Sequence, residues 1–225
     1  MNKAYILSVF VNQNGGSGDK ASVIVDEGHT ISDDQRLQLT KQLDTVETAF
    51  VNDIASSDIS IMHTQGEVDF AGVPALGVAW LLTELKQKPI KVMKGRGGDI
   101  LVSQNNDLTW VRADLKTMPA WNHKQLKSAE DVESIKVEDT KDWEHTMVWA
   151  WTDKAKGLIR ARTFATDWDI PEAQGNGSGS MLLSAIVNKP IEIKHGDGCI
   201  IFAKPASNNC ADIGGRVVEE HSVEV

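Results

Sequence analysis

The chain has 225 residues and a formal net charge of -9 at pH 7, with ordinary apolar and charged fractions for a water-exposed globular protein. That length can bury a real core, as one large domain or two small ones. Phosphate binding needs a basic stripe, and no Lys/Arg cluster of that kind occurs, which argues against nucleic acids and anionic membranes as partners. No apolar stretch approaches a membrane span, and Tyr5–Val11 is too short and too strand-like for a leader peptide, so a cytoplasmic location is expected.

Tyr5–Val11 (YILSVFV) is rich in β-formers and reads as a buried strand, followed by the turn NQNGGSGD and a second strand at Ala21–Val25. Ser32 caps a helix through about Leu43, with Leu39 and Leu43 one turn apart on its buried side. Val46–Val51 (VETAFV) is a strand carrying one acid, and Ile59–His63 is another. The loop Thr64–Val73 leads into a helix from Pro74 to Lys86, with strands after it at Val92 and Ile100–Val102. Gln104–Glu144 is polar and weakly periodic, the best candidate for a crossover, with Met118–Trp121 packing over the join. Thr146–Trp151 and Gly157–Phe164 are strand-like, and a glycine-rich loop, Asp167–Ser180, feeds a helix at Met181–Val187. Strands at Ile191–Lys194, Cys199–Ala203 and Gly215–Val218 complete the chain.

One stretch occurs twice. WLLTELKQKPIKVMKGRG (residues 80–97) and MLLSAIVNKPIEIKHGDG (residues 181–198) align without a gap at a spacing of 101 positions. Each reads as an apolar helix, a Lys-Pro break, a strand, a glycine turn and another strand. Proline disfavours helical geometry in the residue before it, so Pro89 and Pro190 end the helices. Two similar lobes follow, each a mixed sheet with one apolar helix against it: residues 1–103, a crossover at 104–144, and residues 145–225.

Both repeated helices start from loops with special backbone chemistry, FAGVP (70–74) and QGNGSG (174–179). Free N–H groups and the positive end of each helix dipole there suit a carboxylate or phosphate, although such glycines also serve simply to turn a chain into a helix. Glu47 stands in an otherwise apolar strand, where burial would raise its pKa toward the range useful for proton transfer; an outward-facing rim position is the alternative. The six histidines form no metal-binding helix pair, and Cys199 and Cys210 lack a metal-ligand spacing, so no metal is expected.

In order, VFVNQNGGSGDKASVIV, the helix and VETAFV, GEVDFAGVPALGVAWLL, RTFATDWDIPEAQGNGSGSMLL and the closing DIGGRVVEE resemble the phenazine-biosynthesis PhzF-like proteins. The corresponding family pieces read roughly GNPAAVV, SETxFV, FAGHPTLGAA and EDPATGS, and the resemblance covers nearly the whole chain. It implies the diaminopimelate-epimerase-like fold, two pseudo-symmetric α/β (α+β) lobes that each curl a mixed sheet around a central helix. It also implies a cofactor-free isomerase or epimerase with its site between the lobes. Glu47 then matches the family's proton-moving glutamate. A small-molecule carboxylate substrate would be held near Gly72–Val73 and Gly177–Ser178, and Asp19 and Lys20 stand where the family has Asn-Pro. The family histidine of GHP is Val73 here, and the aspartate of EDPATGS is Ala173 beside a retained Glu172. Those departures make a catalytically retired acid-binding protein the alternative. A homodimer is compatible with the sequence, which does not decide it.

Overall fold

The computed structural model describes residues 2–43 and 45–225. After strand β1 (Lys3–Val11), one order of elements is run through twice. The first pass is β2 (Asp19–Val25), α1 (Asp33–Gln42), β3 (Glu47–Asp53), β4 (Asp58–His63), β5 (Gly66–Val68), α2 (Gly72–Lys86), β6 (Val92–Gly95), β7 (Gly98–Asn105) and β8 (Leu108–Asp114). The second is β9 (Asn122–Gln125), α3 (Ala129–Ser134), β10 (Thr146–Asp153), β11 (Leu158–Ala165), β12 (Ile170–Ala173), α4 (Gly177–Val187), β13 (Ile191–His195), β14 (Cys199–Pro205) and β15 (Cys210–Glu224).

Strand pairing repeats as well. The parallel pairs β2–β3 and β4–β6 recur as β9–β10 and β11–β13, and the antiparallel pairs β3–β4, β4–β5, β6–β7 and β7–β8 recur as β10–β11, β11–β12, β13–β14 and β14–β15. The result is two pseudo-symmetric α/β lobes, each a mixed sheet curved around one central helix. They are joined through β15, which pairs with β8 near its start and with β1 along its outer half.

The two central helices are apolar because each packs into its own sheet, α2 along most of its length and α4 along its first two turns. Every residue of α2 from Gly72 to Ala79 is buried, and so are Leu81, Leu82 and Thr83. Burying each such leucine contributes about 2 kcal/mol. Both helices begin earlier than the sequence suggested, at Gly72 rather than Pro74 and, a full turn earlier, at Gly177 rather than Met181. The glycines tolerate helical geometry where the backbone is crowded, and Asn176 caps α4 by accepting the Gly179 N–H at 2.8 Å. Both end in the same way, with Gln87 (φ +51°) and Asn188 (φ +50°) left-handed just before the Lys-Pro break.

Two readings from the sequence change in detail. In α1 the deepest residues are Arg36 and Thr40, with Leu39 and Leu43 only partly covered beside them. The Arg36 guanidinium bonds Asp26 at 2.5 Å, Asn52 at 2.8 Å and Ser60 at 3.1 Å, a buried ion pair fixing the helix to the outer face of the first sheet. The polar middle, 104–144, is largely ordered sheet and helix. Strand β8 belongs to the first lobe's β7–β8 hairpin and alternates buried and half-exposed residues, while β9 and α3 belong to the second. Its polarity comes from one solvated face, and only the stretch around Leu115–Trp121 passes between lobes.

The closing glycine pair also has a steric reason. A Cβ on Gly214 would lie 2.4 Å from the Trp110 ring, and one on Gly215 would lie 2.5 Å from the Phe10 ring. Phe10 itself is left-handed (φ +64°), at an irregularity in the β1–β15 register between Val9 and Val11.

The two helix starts meet backbone to backbone. A Cβ on Gly72 would stand 2.6 Å from the Gly177 Cα, and a Cβ on Gly177 would stand 2.7 Å from the Gly72 Cα. Gly72→Ala and Gly177→Ala are each expected to destabilise the protein by about 1–3 kcal/mol in urea unfolding. Gly95→Ala, whose Cβ would meet nothing closer than 3.6 Å, should change stability by less than about 0.5 kcal/mol. Equal stabilities for all three would show that the helix starts are not in contact.

Candidate active site

Strands β2, β3 and β4 begin or end beside the starts of α2 and α4, and together they border a cleft between the lobes of about 840 Å³. Asp19, Glu47, Gly72, Val73, Gly177 and Ser178, distant in sequence, all line it. Lys20, His63, Met118, Trp121, Trp168 and Ala173 complete much of the wall.

Asp19 opens β2 and Glu47 opens β3, so both carboxyls sit at the cleft end of the first sheet. Burial pushes Glu47 up to about 7, and the nearby Asp19 charge adds to the shift. Asp19 is pushed up to about 6 by burial, although backbone N–H bonds from Gly175 and Lys20 hold it down in part. The Gly175 N–H reaches the Asp19 carboxylate at 3.0 Å and so ties the second lobe to the first. The two neighbouring acids thus differ in surroundings: backbone N–H donors anchor Asp19, whereas burial and the Asp19 charge both push Glu47 up.

The helix starts meet at the same place. Ala71, before α2, offers no side-chain cap, and the Asn176 oxygen is used by Gly179. Among the described residues no side chain accepts the N–H groups of Gly72, Val73, Gly177 or Ser178, so both dipoles present open donors there. The Ser178 hydroxyl accepts the Trp121 indole N–H at 2.8 Å. Lys20, Arg96 and Lys116 are cations of the cleft wall; Arg96 pairs with Asp69 at 3.2 Å and Lys116 with Asp114 at 2.9 Å, whereas Lys20 has no ion pair among the described residues.

Several supporting residues carry no local signal. His195 is fully buried, and burial pushes its pKa down to about 4, so the ring is neutral. Its Nδ1–H donates to the Gln174 carbonyl at 2.8 Å, and its Nε2 accepts from the Thr163 hydroxyl, also at 2.8 Å. Thr163 in turn accepts from the Asn176 side chain at 3.2 Å, which fixes the amide that caps α4. Glu172 is held by Arg162 through two bonds of 2.7 Å, while Arg162 also gathers the Val132 and Ile135 carbonyls at the end of α3. Strand pairing places His63 directly opposite Glu47. The alternating sequence ISIMH hinted at a strand end but not at this partner.

Neither cysteine lines the cleft; burial, with the Asp19 and Asp197 charges, pushes the Cys199 thiol up to about 12. Among the described residues no group of three or more His, Cys, Asp or Glu is placed to hold a metal ion, and no helix is long and apolar enough to cross a membrane.

No family model matches the sequence. The fold, in contrast, is shared over the whole chain with solved structures. A PhzF-family phenazine biosynthesis protein from Enterococcus faecalis superposes with a TM-score of 0.79 at 15% identity, covering 98% of this chain and 97% of that one. A Clostridium difficile (strain 630) protein assigned to PhzC/PhzF phenazine biosynthesis gives 0.78 at 17% identity, covering 100% and 99%. A hydroxyproline epimerase from Agrobacterium vitis, with bound trans-4-hydroxy-L-proline, gives 0.57 at 12% identity, covering 99% and 91%. The chain therefore has the diaminopimelate-epimerase-like fold of these PhzF-like and epimerase proteins.

Because both carboxyls are shifted upward, the folded chain keeps protons that the unfolded chain has released. Their contribution to stability is intact below the ordinary carboxyl values, 4.5 for Glu47 and 3.8 for Asp19, and is lost as pH rises through about 6 to 7. Glu47→Gln should melt close to wild type at pH 4 and above it at pH 8. An unchanged difference between the two pH values, followed by circular dichroism, would mean that Glu47 ionises as in water.

Proposed function

We propose that the protein is a cofactor-independent isomerase or epimerase that moves a proton on a small carboxylate-bearing metabolite, with Glu47 as acid and base. The observation that carries this reading is Glu47 at the cleft wall, pushed up to about 7, in the same cavity as two converging helix starts. A base is most useful when its pKa lies near the working pH, since it can both take and return a proton. The substrate carboxylate would lie at the N–H groups of Gly72–Val73 and Gly177–Ser178, with unpaired Lys20 at the rim adding attraction. Held there, the acid would acidify its adjacent carbon and direct that carbon toward Glu47. Glu47 would take the proton from carbon, the electron pair would pass into the conjugated system, and the proton would return at another position. Burial of the substrate between the lobes excludes water that would otherwise exchange the proton. PhzF-like and epimerase proteins sharing the fold support the same reaction class.

Val73 and Ala173 favour a second reading, binding of a small acid without turnover. Val73 is buried at the start of α2, and Ala173 lines the opposite lobe; neither side chain offers a hydrogen bond to a ligand.

Incubation in heavy water with a panel of amino acids and of cyclic and unsaturated carboxylic acids separates the two. Turnover should place deuterium at one carbon of one compound, and Glu47→Gln should slow this by about a hundredfold or more. Exchange that survives Glu47→Gln would remove Glu47 from the mechanism. A ligand-induced rise in melting temperature with no exchange would establish binding alone.

A further inference from the structure

We propose that His63 is a hydrogen-bond donor to the substrate, its neutral Nε2–H binding a substrate oxygen on the Glu47 side of the cleft. This rests on the acid/base reading of Glu47 and extends it to a second residue of the same wall.

Three observations meet at this ring. First, β3 and β4 are antiparallel, with Glu47 opposite His63, so the two side chains leave the same face of the sheet. Directly opposite residues on such a pair have Cβ atoms about 4.5–5.5 Å apart. Both also line the cleft, so a ligand touching one is within reach of the other.

Second, the tautomer is set by the backbone. The Gln65 N–H points at His63 Nδ1 at 3.2 Å, and a backbone N–H can only donate. Nδ1 is therefore the acceptor, and a neutral ring carries its proton on Nε2. The Thr64 hydroxyl lies 3.3 Å from the same Nδ1 and can add a second donor. With its lone pair occupied, the ring is poorly suited to act as a base and well suited to act as a donor. Burial pushes its pKa down, which favours the neutral form at neutral pH.

Third, Val73 and Ala173 offer no donor, and Glu172 is an acceptor already bound by Arg162. The Ser178 O–H and Lys20 can donate at the helix start and the rim, whereas the side-chain donor directly opposite Glu47 is His63. Loss of a proton from carbon leaves negative charge on a conjugated oxygen, and a fixed neutral N–H there stabilises that charge without surrendering its own proton. The proton account stays closed: Glu47 takes and returns the only proton that moves, and His63 keeps its own. A base and a donor on one wall also imply that the carbon proton and the receiving oxygen lie on the same side of the bound substrate.

The test compares wild type, His63→Phe and His63→Gln in the deuterium-exchange assay, with thermal melting alongside. His63→Phe should melt like wild type and lose about a hundredfold in exchange rate, the usual cost of one such donor. His63→Gln keeps an N–H at similar reach and should recover most of the rate. Wild-type exchange by His63→Phe, or an equal loss in both variants at unchanged melting temperature, would overturn the proposal. Failure of the parent reading is separable, because ¹⁵N-histidine NMR of the wild-type protein needs no turnover. At pH 7.5, His63 should show a bare Nδ1 and a protonated Nε2, and Nε2 should shift on titration with trans-4-hydroxy-L-proline or salicylate, each a carboxylate with a second oxygen. A proton on Nδ1, or an Nε2 signal unmoved when the protein binds either probe, would sink the donor role even if exchange occurs.

Discussion

Gly72 and Gly177 meet backbone to backbone, and this close approach governs the cleft. Any side chain on either residue would occupy the other's Cα, so the helix starts can converge only if both positions lack a Cβ. Convergence has an electrostatic consequence. Each helix carries roughly half a positive charge at its first turn, so two such ends facing one space repel each other mildly. An anion between them would offset that repulsion. The sheets supply the force that holds the arrangement: both helices are buried at their starts, so these cannot swing apart without exposing the core.

Around that contact the polar groups form two sets with different duties. Asn176, Thr163, His195 and Gln174 form a chain of hydrogen bonds in which each donor and acceptor is assigned, fixing the first turn of α4 from behind. Arg162 does similar work for Glu172 and the end of α3. Asp19 spans the lobes through Gly175. These groups have their hydrogen bonds within the protein. Glu47 and His63 remain directed to the cleft, with pKa values displaced in opposite directions, up for the acid and down for the imidazole. Both shifts favour uncharged forms, as partial enclosure by a low-dielectric wall requires.

The lobes are joined by more than side chains. Because β15 pairs with β14 of the second lobe and with β8 and β1 of the first, the final strand is part of both sheets. Separation of the lobes as independent bodies would break that ladder. The cleft therefore lies between two halves of a continuous hydrogen-bonded framework, which favours small adjustments of the wall over wide opening. The irregular backbone at Phe10 lies at this junction, its ring also within 3.3 Å of where a Cβ on Gly175 would be, so strain and the inter-lobe tie coincide.

Much of this was legible in the chain itself. The 101-residue repeat, the Lys-Pro breaks, the Ser32 cap and the lone acid of VETAFV are local patterns, and local chemistry dictates their outcome: proline ends helices, serine caps them, and apolar runs seek cover. What eluded the sequence is what depends on pairing at a distance. Periodicity tells which face of a strand is buried but not which residue lies opposite. Thus His63 reads as a strand end until the β3–β4 register sets it against Glu47. His195 is another scattered histidine until β11 and β13 pair and bring it to Thr163. The alternation of β8 likewise resembles a polar linker until α2 packs on one of its faces, and Arg36 looks like surface charge until Asp26 meets it beneath α1. By itself the sequence determined the two-lobed plan and singled out the acid of VETAFV and the glycine-rich helix starts. Only the tertiary structure decided which of them share a wall, because register and close backbone approach are properties of strands and helices brought together from far apart in the chain.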